Sequence, residues 1–299
     1  MTASLDIAND HWTVGVLPDL GGSLGSGRVL RDGQWVDVLR PTPATVDAAG
    51  DTSSYPLVPW SNRIRDGRLH WQGGVRQLAV NFPDGTAIHG AGWTLPWKVA
   101  DKSDTAATVS LDSRDHDDAN WPWPFTAAIE YRLDGPRFTV RMTLTNRSDE
   151  PFPAGLGHHP YFVRGGEHGE PTLTVNVTRG YELVDCMATE SAGDIRPAAN
   201  FEEPRPVGNA FVDDCLTGRT SRVLSTIAYP GGPTVWIEAD DLFSHAVVYV
   251  PVDEDFFAVE PVTNANGGFA LMAKGVEGHG VFVVEPGATV EAEFALVVT

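Results

Sequence analysis

Four short segments place side chains that can move protons or bind polar ligands among Gly, Pro and aromatic residues. They are Pro59-Trp60-Ser61-Asn62-Arg63-Ile64, Ala87-Ile88-His89-Gly90, Gly155-Leu156-Gly157-His158-His159-Pro160-Tyr161-Phe162, and Val259-Glu260-Pro261-Val262-Thr263-Asn264-Ala265-Asn266. A histidine titrates near neutral pH and suits a general acid, and an ionised glutamate suits a general base. Taken singly, each has an ordinary structural reading. Arg63 can be a surface charge, His89 a turn residue before glycine, and Glu260 an exposed strand terminus. His158 and His159 are neighbours, and on a strand they point to opposite faces, so they are a poor pair for one metal ion. No G-x-x-x-x-G-K-[ST] phosphate loop is present. Cys186 and Cys215 lack C-x-x-C spacing and read as inert thiols.

The elements that must position these groups read as strands. Phe138, Val140, Met142 and Leu144 alternate with Thr139, Arg141, Thr143 and Thr145, the period of a half-buried strand. Residues 126–133 precede it through Asp134-Gly135-Pro136, which predicts an antiparallel hairpin. Further strands are expected at 12–17, 28–30, 35–39, 67–71, 75–78, 234–238, 246–250, 256–259 and 281–284. A last one alternates from Val290 to Val298. No long stretch has helical periodicity. Many short strands with 31 Gly and 22 Pro between them predict an all-β sandwich or barrel. Without a linker, charge run or repeat to divide it, the chain is expected to form one domain over residues 1–299. The segment 187–209, rich in Ala, Glu and Pro, reads as a long surface loop.

The net charge of −19 repels phosphate backbones and anionic membranes, which excludes nucleic acid as a partner and leaves a neutral ligand such as a sugar untouched. There is no apolar run of the roughly 18 residues a membrane span needs. The start MTASLDIANDHW has no basic-then-apolar secretory pattern, so a cytoplasmic location is the default expectation.

The order of the segments is more specific than any one of them. Asn62-Arg63-Ile64, then Gly67 and Gly73-Gly74, Asn81, His89-Gly90, Trp97, His159-Pro160-Tyr161-Phe162, Val212-Asp213-Asp214, Glu260-Pro261 and a late Pro286-Gly287 follow one another. In this order the chain resembles the aldose 1-epimerase (galactose mutarotase-like) family over nearly its whole length. The resemblance implies a large antiparallel β-sandwich, the supersandwich of that family, and interconversion of the α and β anomers of a hexose such as glucose or galactose. It implies His159 as catalytic acid and Glu260 as catalytic base, with Arg63 and His89 binding the sugar. The sugar-binding aspartate falls on Asp213 or Asp214. Asp213 is preferred, although Leu216 stands where an aromatic is common. No metal, nucleotide or redox cofactor is implied, and the partner is a small sugar. His158 is expected to face away from the site, and Glu285-Pro286 to belong to a turn. Tyr161, Trp97 and Trp60 are candidates for an apolar face under the sugar ring, with core packing as the competing role. Two other readings fit the same fold. One is a hexose-6-phosphate 1-epimerase using extra basic residues such as Arg65 or Arg40, and the other is a carbohydrate-binding or sensory protein without turnover.

Overall fold

The structure, a computed structural model, describes residues 4–165 and 169–299. Among these residues the strands form two large antiparallel sheets. One has nine strands in the order Lys98–Lys102, Ala106–Asp112, Phe125–Asp134, Arg137–Asn146, Thr289–Val298, Thr234–Ala239, Val223–Ala228, Thr172–Val175 and Arg205–Pro206. The other has seven. Its order is Arg179–Gly180, Val212–Thr217, His245–Val250, Phe256–Val262, Gly157–His158 and Pro56–Leu57, with Tyr161–Val163 also pairing to Phe256–Val262. A four-stranded sheet from Leu5–Ala8 to Gln34–Asp37 and several two-stranded ribbons complete the architecture.

The alternating segment is the ten-residue strand Arg137–Asn146, paired on one side to Phe125–Asp134 and on the other to the last strand. The hairpin turns through Gly135, at φ 51°, and Pro136, which together account for the Asp-Gly-Pro signal. Phe138, Val140, Met142 and Phe294 of the nine-stranded sheet pack against Val212, Val248, Val250, Phe257 and Val259 of the seven-stranded sheet. That interleaving is the core of the sandwich, and burying each such side chain contributes about 1.5–3 kcal/mol.

Two expectations are corrected. The strand begun at Phe256 does not stop at Val259 but runs to Val262, so Glu260 lies inside a buried strand and not at an exposed end. Segment 187–209 is not a surface loop. It carries Met187–Ala188, Pro197–Ala199 and Arg205–Pro206, and Ala199 and Phe201 are buried in the main core. The helical content is small: three-residue turns and one helix, Gly268–Ala273, among the described residues. None of the helices is long and apolar enough to cross a membrane.

Candidate active site

The register of the seven-stranded sheet sets the candidate acid opposite the candidate base. Gly157 pairs with Val262 and Tyr161 with Ala258, and continuing that register sets His159 across from Glu260. Direct neighbours on adjacent strands bring their Cβ atoms to roughly 4.5–5.5 Å. The side chains meet: His159 Nε2 lies 3.0 Å from Glu260 Oε1, with the two side chains only 8% and 3% exposed. The ladder is interrupted here because neither Pro160 nor Pro261 has an N–H to donate. The His159 N–H instead donates to the Tyr55 carbonyl at 2.9 Å and the Tyr161 N–H to Ser53 at 3.0 Å. Since Val247 pairs with Glu260 and Cys215 with Val247, one row runs across the sheet as Tyr55, His159, Glu260, Val247 and Cys215. The next row on the same face contains Tyr161, Ala258, Tyr249 and Asp213.

Arg63 and His89 reach this face from a separate ribbon, Arg63–Arg65 with Thr86–Ile88. Each strand of the ribbon is flanked by a residue in the left-handed region, Asn62 at φ 61° and His89 at φ 63°, and the His89 N–H donates to the Asn62 carbonyl. Gly90 follows at φ 80°, where a Cβ would sit 2.1 Å from the Val58 carbonyl oxygen, so only glycine permits this close turn. The ribbon is tied to the end of the Glu260 strand by three hydrogen bonds. Asn62 Nδ2 donates to the Asn264 carbonyl at 2.6 Å, Ser61 Oγ to Asn264 Oδ1 at 2.7 Å, and Asn264 Nδ2 to the Ser61 carbonyl at 3.0 Å. Gly155 leaves room for this knot, since a Cβ there would lie 1.9 Å from Asn264 Oδ1.

Arg63 is shared between two carboxylates, Asp84 at 2.9 Å and Asp213 at 3.7 Å. Burial opposes its charge, and Asp213 and Asp84 outweigh that opposition. Asp213 faces Glu260's side of the sheet. Asp214 points the other way and is held by Arg196 through two bonds of 2.6 and 2.5 Å. His158 likewise faces the sandwich core, with Nδ1 2.5 Å from Ser54 Oγ and Nε2 3.3 Å from the Tyr131 hydroxyl.

The electrostatics follow from burial. Desolvation, reinforced by Asp213, raises the Glu260 carboxyl well above the usual range, and Arg63 offsets part of this. Desolvation lowers the His159 imidazole to about 3, and His89 is lowered well below its ordinary value by burial and by His159. Glu260 Oε2 and His89 Nδ1 are buried without a hydrogen-bond partner, an arrangement found where polar groups serve a bound ligand. Among the described residues, no three His, Cys, Asp or Glu side chains come together as a metal-binding set.

Of the aromatic candidates, Tyr161 is beside His159, at 4.4 Å between ring centroids. Trp60 stacks on Trp121 in the core, and Trp97 is buried with its indole N–H on the Gly92 carbonyl. The rings that do surround the site are Tyr55, stacked on His159 at 4.9 Å, and Trp93, stacked on Tyr55 at 5.3 Å. Neither of these, nor Asp84, stands out in the amino-acid sequence. The available signals were an aromatic just before Pro56-Leu57 and an Asp-Gly turn shortly before His89. A cleft of about 540 Å³ adjoins the site at Asp213, lined also by Tyr181, Cys186, Phe211 and the Arg196–Asp214 pair. A larger cavity of about 570 Å³ beside Thr42–Asp47 has Asp47 as its one titratable lining residue and lacks an acid–base pair.

The comparisons with known proteins agree with this architecture. The Escherichia coli K12 protein YphB, itself described as uncharacterized, is 26% identical over 284 residues, covering 89% of this chain and 91% of its own length. A galactose mutarotase-like protein from Clostridium acetobutylicum superposes with a TM-score of 0.86 at 17% identity, over 99% of this chain and 95% of that one. The GalM/aldose epimerase homologue from C. elegans does so with a TM-score of 0.82 at 14% identity, over 100% and 99% of the two chains. At these identities the two structures speak for the fold. The aldose 1-epimerase family model matches residues 4–296, and the chain belongs to that family.

Proposed function

We propose that the chain is an aldose 1-epimerase that interconverts the α and β anomers of a free hexose, with His159 and Glu260 as its acid–base pair. The observation that carries this reading is the buried contact of His159 Nε2 with Glu260 Oε1 at 3.0 Å. Anomerisation requires a proton to arrive at the ring oxygen and another to leave the anomeric hydroxyl. Both oxygens are bonded to the same carbon, so the acid and the base must converge on one small volume, as side chains facing across two adjacent strands do.

In ring opening, Glu260 takes the proton of the anomeric hydroxyl while His159 delivers one to the ring oxygen, and the C1–O5 bond breaks to leave the aldehyde. Rotation about C1–C2 presents the other face, and the same groups run in reverse to close the ring. Carboxylate with imidazolium and carboxylic acid with imidazole hold the same number of protons. Opening converts the first state into the second and closing restores it, with no proton drawn from solvent. Burial favours the uncharged state, and Arg63 pulls Glu260 back toward the carboxylate. Arg63 and His89 would bind sugar oxygens, and Asp213 would accept from hydroxyls. A cytoplasmic setting and a small neutral sugar as the partner belong to the same proposal.

A hexose 6-phosphate is the second reading, and one observation favours it. Arg65, Arg68, His70 and Lys274 line a groove of about 380 Å³ that Arg63 also borders. Arg40, by contrast, is committed to the Gly50 and Thr52 carbonyls. Polarimetry with freshly dissolved α-glucose and α-galactose tests the main reading, and glucose 6-phosphate run beside them tests the second. A rate above the buffer control on a free hexose is expected. A panel of sugars with none accelerated would overturn the proposal.

A further inference from the structure

A histidine that works through one ring nitrogen is ordinarily aimed by a hydrogen bond at the other. The His159 Nδ1 is buried and finds no partner beyond its own backbone. Its ring is surrounded by other rings. Tyr55 lies nearly parallel to it, at 4.9 Å and 21°, Tyr161 leans on it at 4.4 Å and 40°, and His89 meets it edge-on at 5.7 Å and 87°.

We propose that Tyr55 is the positioning residue of the site, setting the plane of the His159 imidazole by ring stacking in place of a hydrogen bond at Nδ1. The inference rests on the reading of His159 and Glu260 as the acid–base pair. Tyr55 is well placed for this. It continues the register of Pro56–Leu57 and so stands directly across from His159, and its carbonyl holds the His159 N–H. Tyr55 is in turn stacked on Trp93 at 5.3 Å and 28°, which restricts its own movement. A quarter turn of the imidazole would drive its edge into the Tyr55 ring. Stacking therefore fixes the plane, and the bond to Glu260 chooses between the two flips within it.

The hydroxyl of Tyr55 meets Tyr161, and the stacking role does not depend on it. Tyr55→Phe should therefore keep kcat within about threefold of the parent. Tyr55→Leu, which loses the flat face, should lower kcat roughly 10–100-fold, the scale of a small misplacement of a reacting group, with KM changed by less than about threefold. Proton NMR should find the His159 ring protons shifted upfield by the stacked ring in the unsubstituted protein and in Tyr55→Phe. Full kcat in Tyr55→Leu, equal losses in the Phe and Leu variants, or His159 ring protons without an upfield shift would each overturn the proposal. The NMR measurement needs neither turnover nor the Leu variant. It therefore still decides if Tyr55→Leu fails to fold, and it separates failure of the clamp from failure of the proposed reaction.

Discussion

The two faces of the seven-stranded sheet treat neighbouring residues in opposite ways. On the inner face, His158 has both ring nitrogens within reach of hydroxyls and is packed between the sheets against Tyr131 and Phe294. On the outer face, His159 is also buried, but its ring meets a carboxyl group that is itself half unpartnered. The inner face is closed by a second sheet. The outer face is covered by Tyr55, Tyr181, Ala188, Ala192 and Leu271, with Trp93 packed against them. Polar groups on the inner face are satisfied and hold the sandwich together. Those on the outer face are left partly unpartnered and contribute little to stability.

The largest effect should come from breaking the outer face. Glu260→Gln and His159→Asn should each lower kcat roughly 10²–10⁴-fold, and the double variant should be little worse than either single one, since the two act as a unit. The melting temperature of Glu260→Gln should equal or exceed that of the parent near pH 8, because a neutral amide avoids ionising a carboxyl that burial has raised. A strongly destabilised Glu260→Gln would place this residue among the structural groups.

An intermediate effect should separate the two adjacent aspartates by face. Asp213→Asn should raise KM about 10–100-fold by weakening charged hydrogen bonds to sugar hydroxyls. Asp214→Asn should leave KM unchanged and release Arg196 from its ion pair. Equal kinetic effects at both positions would erase the distinction.

The smallest effect should come from the inner face. His158→Gln should cost about 1–2 kcal/mol of stability at pH 7 while leaving kcat within about threefold. It should also blunt acid sensitivity. Burial lowers the folded pKa of His158 to about 3, whereas in the unfolded chain it lies near 6.5. Between those values the unfolded chain binds the extra proton, so stability is full above about pH 6.5 and falls on acidification. The loss is at most about 1.4 kcal/mol per pH unit for each such histidine. Melting curves from pH 7 to pH 4 should be flatter for His158→Gln than for the parent, and identical slopes would contradict this account.

Strand content was legible because alternation survives wherever a strand has one solvated face, as at Arg137–Asn146. Hairpin turns were legible because Asp-Gly-Pro and Pro-Gly restrict the backbone locally. Glu260 read ambiguously for the opposite reason. Six of the seven residues of Phe256–Val262 are buried, so the strand carries no alternation from which to tell inside from outside. Segment 187–209 was misread because short buried anchors such as Phe201 leave no periodic trace. Tyr55 and Trp93 were overlooked because an aromatic residue in a mostly buried chain has packing as its default explanation.

The amino-acid sequence by itself determined an all-β chain of strong negative charge. Its ordered motifs also named His159, Glu260, Arg63, His89 and an aspartate as the residues to examine. The tertiary structure decided what those residues are to one another. His159 and Glu260 are a third of the chain apart, and only the register of two strands makes them neighbours. Asp213 and Asp214 are adjacent, and only the pleat of the sheet separates them. Side chains on a strand alternate in direction from one residue to the next. Which direction leads to the core and which to the site depends on the sheet that packs against the strand, and no local stretch of sequence carries that information.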